Sequence, residues 1–331
     1  MKAFEEFYDP RSLYASWRRF RRGKRLRKDV LVFERHLEDE LLSLSADLAG
    51  GTYAHGEYHR FYIRDPKYRM IHKAAVRDRV VHQALYDIWQ PLFEKKFFFD
   101  SYSSRLEKGT LRAIMRFLTF VRKTNRNGRQ EAWVFHGDVD DFFGSIDHEI
   151  LLVNFARTIK DPHYFNLAEK IIKSFSCLPG KGLPLGNLTS QLFANVYLHK
   201  LDYFVKQKLG IRPYARYNDD FFIVASGREE LVDVASRIKQ FLSSELQLNL
   251  PSDKIKIRPL SRGVDVLGTV IFPWGEVPRS RLRIAAKKTA ALAVENGYTD
   301  DGWRSSVSYL GLLGHTRSFF LREKLRLSTL S

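Results

Sequence analysis

The sequence predicts an α+β fold, on three observations. The middle third of the 331 residues alternates strand and helix patterns in the order β-α-β-β-α-β, the signature of a split-βαβ sheet with helices packed on one face. The apolar spacing switches between the period of a strand and that of a helix along the chain, with no internal repeat or low-complexity tract. Hydrophobic residues make up 44% and charged residues 28%, the balance of a folded rather than a disordered protein. The length suits either two domains or one larger continuous fold.

From the N-terminus, residues 18–28 (RRFRRGKRLRK) are basic everywhere except Phe20, Gly23 and Leu26, and residues 31–48 follow as one helix of alternating acids and leucines. Residues 58–63 (YHRFYI) read as a strand, Asp65-Pro66-Lys67 as a turn and residues 68–71 as the return strand. Arg60, Arg64, Lys67, Arg69 and Lys73 edge this hairpin. Residues 76–93 carry apolar side chains at helical spacing (Val80, Val81, Leu85, Ile88, Leu92), and residues 110–123 form a further helix. A strand over 132–139 (AWVFHGDV) ends in acids, and a helix covers 148–159. After a Gly- and Pro-rich loop over 179–186, a long helix spans 190–208. Strands 214–217 and 221–225 flank Asn218 and Asp219, a helix covers 229–246, and residues 264–272 (VDVLGTVIF) make a short β unit. From residue 279 the chain is basic and mostly helical.

Charge narrows the function. Lys and Arg number 55 against 38 Asp and Glu, a net charge of +17, which points to a polyanionic partner and above all to nucleic acid. The basic block at 18–28 is expected to contact phosphates. A single cysteine, Cys177, excludes an internal disulfide and a cysteine-built zinc site. Residues 1–17 lack the apolar core of a secretion signal, and the uncharged stretch at 182–199 contains Pro184, Asn187, Gln191 and Asn195, a poor membrane span. The expectation is a soluble, cytoplasmic protein. There is no HExxH, no GxxxxGK[ST] phosphate loop and no GxSxG nucleophile elbow.

The sharpest chemical constellation is Asp138 with Asp219 and Asp220. Asp138 ends a strand, while Asp219 and Asp220 are expected in a two-residue turn between hydrophobic strands. Carboxylates at strand ends can converge over one sheet edge and hold two Mg²⁺ ions, which prefer oxygen ligands and share substrate phosphates. Two metals about 3.5–4 Å apart activate an attacking 3′-oxygen and stabilise a pyrophosphate leaving group. Asp140 and Asp141 crowd Asp138, and strand alternation would turn Asp138 and Asp140 the same way, so the ligand stays ambiguous between them.

On these residues the chain resembles reverse transcriptases of the group-II-intron-like bacterial lineage. RYNDDFFIVA at 216–225 is similar to their YxDD catalytic hairpin, and FHGDVDDFFGSIDHEIL at 135–151 to the segment with the first metal-binding aspartate. GLPLGNLTSQLFANVYLHKLD at 182–202 is similar to their template- and nucleotide-binding loop and helix. Where group II intron enzymes carry QGxxxSP, residues 185–191 read LGxxxSQ, the form of diversity-generating retroelement enzymes.

The resemblance implies a right-hand polymerase with fingers, an antiparallel-sheet palm and a short helical thumb. Its parts would be an N-terminal basic, helical extension (1–57), fingers (58–130), a palm with finger elements (131–278) and a thumb (279–331). It implies RNA-directed DNA synthesis, copying a template RNA into cDNA, error-prone in a diversity-generating retroelement. An antiphage-defence reverse transcriptase and a non-catalytic RNA-binding scaffold of the same shape are the alternatives. Asp138, Asp219 and Asp220 would be catalytic metal ligands, with the Val139 carbonyl, for two Mg²⁺ ions or substituting Mn²⁺. Phe143 would lie under the sugar and exclude a ribose 2′-OH, unless it is a core residue and Phe142 faces the site. Gln191 would begin the helix that meets the incoming nucleotide and template. Arg69, Lys73 and Arg105 would meet the triphosphate. Lys254 would protonate pyrophosphate, with Lys256 as its competitor. Tyr217 and Asn218 would adjoin the primer terminus and template, with Leu267 and Gly268 in the primer grip. The implied partners are template RNA, the RNA–DNA duplex, deoxynucleotides and a small basic accessory protein.

Overall fold

A computed structural model describes residues 3–64, 68–296, 300–314, 316, 318–319 and 322–323. The expected turn at Asp65-Pro66-Lys67 and the end of the expected thumb, residues 324–331, lie outside the described residues.

In chain order the helices and strands begin with α1 (Phe4–Tyr8), α2 (Pro10–Arg21), α3 (Lys28–Arg35), α4 (Leu37–Ala49), β1 (His59–Arg64), β2 (Tyr68–Lys73), α5 (Val76–Glu94) and α6 (Thr110–Thr124). Then come β3 (Trp133–Asp138), α7 (Phe142–Ser145), α8 (His148–Ala156), α9 (Pro162–Lys173), α10 (Leu188–Tyr203), β4 (Tyr214–Tyr217), β5 (Asp220–Ala225) and α11 (Arg228–Leu246). The chain continues through β6 (Ile255–Pro259), β7 (Val264–Val266), β8 (Thr269–Phe272), β9 (Gly275–Pro278), α12 (Ser280–Asn296) and α13 (Asp300–Leu313). It divides into two compact units, one of Met1–Phe99, Val139–Phe204 and Ile238–Pro251, the other of Asp100–Asp138, Val205–Arg237 and Ser252–Ser331.

The first unit is mainly helical. Asp9 caps α2, its side chain accepting from the Arg11 amide at 2.8 Å, and Pro10 supplies the pre-set φ of a first helical residue. Leu13, Trp17 and Phe20 fall on one face of α2 and are buried. The single helix expected over 31–48 is two, α3 and α4, broken at His36, whose amide turns back to the Phe33 carbonyl. Buried positions and the half-buried Leu37 keep three- and four-residue steps across the break (Val30, Phe33, Leu37, Leu41, Leu44, Leu48), so periodicity alone reads the pair as one. Helix α9 was not expected; its Asp161-Pro162 start is a cap plus a first-turn proline, with Asp161 accepting from His163 at 2.9 Å. Helix α10 begins at Leu188, ahead of the expected start, and ends in a π-helical turn over Phe204–Lys208. It is buried on nearly all sides and packs against α5 and α8.

Strands β1 and β2 pair antiparallel from His59↔Lys73 to Arg64↔Tyr68, and β1 is exposed on both faces. The base of this hairpin is tied to the loop before α10. Asn187 accepts from the Ala74 amide at 3.1 Å and donates to the His72 carbonyl at 2.7 Å. Gly186, at φ +108°, lies so close that a Cβ would come 2.7 Å from Ile71 Cγ2.

In the second unit, four antiparallel strands lie in the split-βαβ order β4-β5-β3-β6, but the closing strand is β6, which was not expected, and the β unit expected over 264–272 lies in a separate sheet. Helix α6 covers one face, with Phe117, Phe120 and Val121 in the same core as Val134, Phe222 and Val224. Helices on one face alone were expected, yet Phe135, Phe221 and Ile223, which alternate to the other face, are equally buried. A second sheet, β7-β8-β9, is a meander. Its third strand escaped notice because four residues beginning at a glycine and ending at a proline give no alternation to read.

Gly137 marks how tightly β3 and β5 are pressed. It pairs with Phe221, and a Cβ there would fall 2.6 Å from Phe221 Cζ and 3.0 Å from Phe135 Cζ. Both rings are fully buried and cannot swing away. Gly137→Ala should therefore cost about 1–3 kcal/mol, read as a lowered urea midpoint at constant slope. An unchanged midpoint would show that the rings yield.

In the first unit Asp29 accepts from Lys73 at 2.6 Å and pairs with Arg79. Burial alone raises its pKa, but the Lys73 and Arg79 hydrogen bonds outweigh burial and hold the carboxyl at about 2. Its folded pKa lies below the unfolded value of roughly 3.9, so the stabilisation is present at neutral pH and fades as pH falls from about 4 towards 2. Asp29→Asn should be less stable than the parent at pH 7 and lose less on acidification across that window. Parallel pH profiles of the urea midpoints would refute the coupling.

Candidate active site

Strand β3 ends at Asp138 and β5 begins at Asp220, and the antiparallel register sets these two residues directly opposite each other. Strand β4 reaches the same edge at Tyr217, which pairs with Asp220. The connecting turn is Asn218-Asp219, with Asn218 at φ +59°, a left-handed conformation that asparagine tolerates better than most residues. The expectation that Asp219 and Asp220 share the turn is thus corrected. Asp220 belongs to the strand, because its ladder pairings with Tyr217 and Asp138 begin there.

Two like charges facing each other across an antiparallel pair repel. Each is met by a cation or potential cation. Lys254, in the 3₁₀ turn Ser252–Lys254 that leads into β6, places its Nζ 2.7 Å from Asp138 Oδ2. His136, two residues before Asp138 and so on the same face of β3, places Nε2 2.7 Å from Asp220 Oδ1. The His136 ring stacks on Phe222, centroids 4.5 Å apart. The sequence reading passed over His136, although its alternation with Asp138 was visible. Among the described residues no group of three or more His, Cys, Asp or Glu side chains is gathered tightly enough to hold a metal ion. The structure aligns Asp138 and Asp220 and sets Asp219 in the adjoining turn without converging all three. The donor chemistry nevertheless fits a hard divalent cation: carboxylate oxygens, two of them opposite each other, with the charge a cation would offset.

The structure separates Asp138 from Asp140. The strand stops at Asp138, so alternation does not carry over to Asp140, which lies exposed in the following turn with its amide on the Asn249 carbonyl at 3.1 Å. Val139 is buried immediately after Asp138. Of the two phenylalanines, Phe142 is 2% exposed and belongs to the core, whereas Phe143 keeps partial exposure in α7. Lys256 is exposed on β6, whereas Lys254 meets Asp138.

The other expected residues fall as follows. Arg69 is exposed on β2, whereas Lys73 is held by Asp29. Arg105 donates to the Ser101 carbonyl at 2.6 Å. Gln191 is exposed in the first turn of α10, three residues beyond the helix start. The Tyr217 hydroxyl accepts from Thr110 Oγ1 at 3.3 Å. Leu267 and Gly268 form the turn between β7 and β8 at φ +51° and +87°. Positive φ is natural for glycine and a genuine outlier for leucine.

Known proteins share this fold. Residues 63–271 match the family model described as reverse transcriptase (RNA-dependent DNA polymerase). Protein YkfC of Escherichia coli K12 is 26% identical over 312 residues, covering 79% of this chain and 81% of that protein. The group II intron-encoded protein LtrA of Lactococcus lactis subsp. cremoris is 27% identical over 179 residues, covering 51% of this chain and 29% of LtrA. Among solved structures, the telomerase of Candida albicans, in complex with a TWJ fragment of telomeric RNA, superposes with a TM-score of 0.55 at 10% identity. That match covers 87% of this chain and 58% of the telomerase chain, and at such identity it shows the fold alone. Since the family match takes in well over half of the residues, the chain belongs to the reverse transcriptase family and carries an RNA-directed DNA polymerase domain.

Proposed function

We propose that this chain copies a template RNA into cDNA by two-metal nucleotidyl transfer, as the error-prone polymerase of a diversity-generating retroelement. The observation that carries the polymerase reading is the register that sets Asp138 opposite Asp220, with Asp219 in the turn of a Tyr217-Asn218-Asp219-Asp220 hairpin. In this reading residues 58–130 are fingers, 131–278 palm with finger elements and 279–331 thumb, with 1–57 an N-terminal extension. Asp138, Asp219, Asp220 and the Val139 carbonyl would hold two Mg²⁺ ions, or Mn²⁺ in their place. Bound there, the metals supply activation of the primer 3′-oxygen and stabilisation of departing pyrophosphate.

The chain's own groups do the rest. Lys254, beside Asp138, brings a proton and positive charge to pyrophosphate. The Phe143 ring closes the space a ribose 2′-OH would need, which selects deoxynucleotides. Arg69, Lys73 and Arg105 bind the triphosphate, with Lys73 released from Asp29. Gln191 meets the templating pair, and Tyr217, Asn218, Leu267 and Gly268 hold the primer end. The β1-β2 hairpin presents exposed Tyr62 and Tyr68 among Arg60, Arg64 and Arg69, a combination suited to stacking and gripping single-stranded template. The N-terminal block is only partly available for phosphates. Arg19 is paired with Asp87 and Arg21 with Glu34, leaving Arg18, Arg22, Arg25, Arg27 and Lys28 exposed to meet RNA. Among the described residues no helix is long and apolar enough to cross a membrane. We infer a cytoplasmic location, where template RNA and deoxynucleotides would be at hand, and a small basic accessory protein as partner.

Asp219→Asn and Asp138→Asn should each lower dNTP incorporation on primed RNA by about two to three orders of magnitude, the equivalent of several kcal/mol of lost transition-state stabilisation. RNA affinity should barely change, because the phosphate grip is spread over many cations. Tight RNA binding by a wild-type chain that incorporates nothing would favour the scaffold reading instead.

The subclass rests on the LGxxxSQ loop at residues 185–191. A site that holds the nascent pair loosely discriminates poorly, because a mispair then loses little differential transition-state binding. Sequencing cDNA made on a defined RNA should show substitutions concentrated opposite adenines. Uniformly low errors at all four bases would remove the diversity-generating assignment and leave the polymerase standing.

A further inference from the structure

The strand that leads into the Asn218-Asp219 turn carries a buried arginine. Arg216 is 1% exposed, one of the largest fully buried side chains. Removing a guanidinium from water is costly unless its donors are satisfied. Nη1 donates to the Asn218 carbonyl at 3.0 Å and Nη2 to Ser101 Oγ at 3.0 Å. The backbone is clamped as well: the Arg216 amide donates to the Asp100 carbonyl at 2.9 Å, and the Arg216 carbonyl accepts from the Tyr102 amide at 2.9 Å. Residues 100–102 thereby run parallel alongside β4, with Ser101 bridged to Arg216. That segment is itself anchored, since the buried Asp100 carboxylate accepts from Arg116 Nε at 2.7 Å and Lys206 Nζ at 2.6 Å.

The carbonyl that Arg216 holds belongs to the peptide group whose amide is that of Asp219. A peptide is planar, so fixing its oxygen fixes the plane from which the Asp219 Cα departs. Asn218 sits at φ +59°, a left-handed conformation that asparagine reaches at modest cost and that a fixed carbonyl keeps from relaxing. A hydrogen bond from a charged donor is roughly twice as strong as a neutral one, which suits it to that task.

We propose that Arg216 is a positioning residue for Asp219. Its buried guanidinium, braced by Ser101 and the 100–102 backbone, locks the Asn218–Asp219 peptide and so presents the Asp219 carboxylate in one orientation. The proposal rests on the reading of Asp219 as a metal ligand. It is separable from that reading because the lock can be measured without turnover.

The test uses the full chain with Arg216→Met, Arg216→Lys and, for reference, Asp219→Asn. Amide hydrogen exchange over residues 214–225 reads the lock directly. Both Arg216 variants should exchange about tenfold or more faster at residues 218–220, with β3 and β6 unchanged, because a local restraint has gone. Lysine should not substitute, since one ammonium cannot reach two acceptors as the planar fork does. On primed RNA, kcat should fall about tenfold or more while primer–template affinity stays within about twofold, the pattern of a lost interaction that matters in the transition state. Unchanged exchange in both variants, or raised exchange with unchanged kcat, overturns the proposal. If Arg216→Met does not fold, Arg216→Lys decides by the same two readouts. An Asp219→Asn chain that keeps full incorporation would sink the metal-ligand reading of Asp219, whatever the exchange data show.

Discussion

The antiparallel register between β3 and β5 is the constraint on which the rest of the site depends. It forces Asp138 and Asp220 to face each other at one sheet edge. At the separation of a cross-strand pair, two such charges repel by roughly 1 kcal/mol in water and by several times that at lower effective dielectric. The chain accepts this repulsion and surrounds it with compensation. β3 is an inner strand, paired by β5 on one side and β6 on the other, so Asp138 cannot slide out of register. The β6 side also delivers Lys254 to Asp138, and β3 itself delivers His136 to Asp220. The pressed contact at Gly137 belongs to the same logic, because only a glycine lets the Phe221 ring fill the space just inside the acidic edge.

What the sequence disclosed follows from what periodicity can carry. Tyr217-Asn218-Asp219-Asp220 between two apolar runs announces a hairpin, and Asp138 near the end of the run at 132–139 announces a second strand end. Both are local patterns, and both landed within a residue or two of the structure. Periodicity reports which face is buried and says little about where an element stops. It therefore merged α3 with α4, although it did carry the helix after the Gly-rich loop to residue 208, where the π-helical turn ends. The Asp161-Pro162 cap is a local start signal for α9 that carries no apolar periodicity of its own. Contacts made across many residues were out of reach: Asp29 with Lys73, His136 with Asp220, and Asn187 with the strand that precedes α5. Nothing local in any of these residues distinguishes a partnered group from a solvated one.

The net charge illustrates the same limit. A surplus of +17 suggests a polyanionic partner, but it does not map where that partner would sit. Several cations of this chain are committed internally. Arg19 is held by Asp87, Arg77 by Asp47, Lys73 and Arg79 by Asp29, and Arg116 and Lys206 by Asp100. Such pairs fix the positions of loops and helix ends. On the proposed reading, the exposed cations outside these pairs would release counterions on meeting a phosphate backbone, and the salt dependence of binding would reflect that smaller set.

Strain and compensation meet in the same segments. Non-glycine residues at positive φ include Asp141 after the first acidic strand, Asn218 in the acidic hairpin and Leu267 in the turn between β7 and β8. Asparagine and aspartate reach that region at modest cost, leucine at a larger one. A relaxed chain would drift away from these conformations, so each needs something that outweighs the preference. At Asn218 that is a buried guanidinium on the carbonyl, and at the Leu267 turn it is the Gly268 amide on Asp265 together with Arg279 against the same carboxylate. Charged side chains thus hold unusual backbone in place at two turns within the family-matched region. On the proposed reading these turns would meet a primer end and would gain from such rigidity, because reacting groups already held near their final geometry lose less freedom in reaching the transition state.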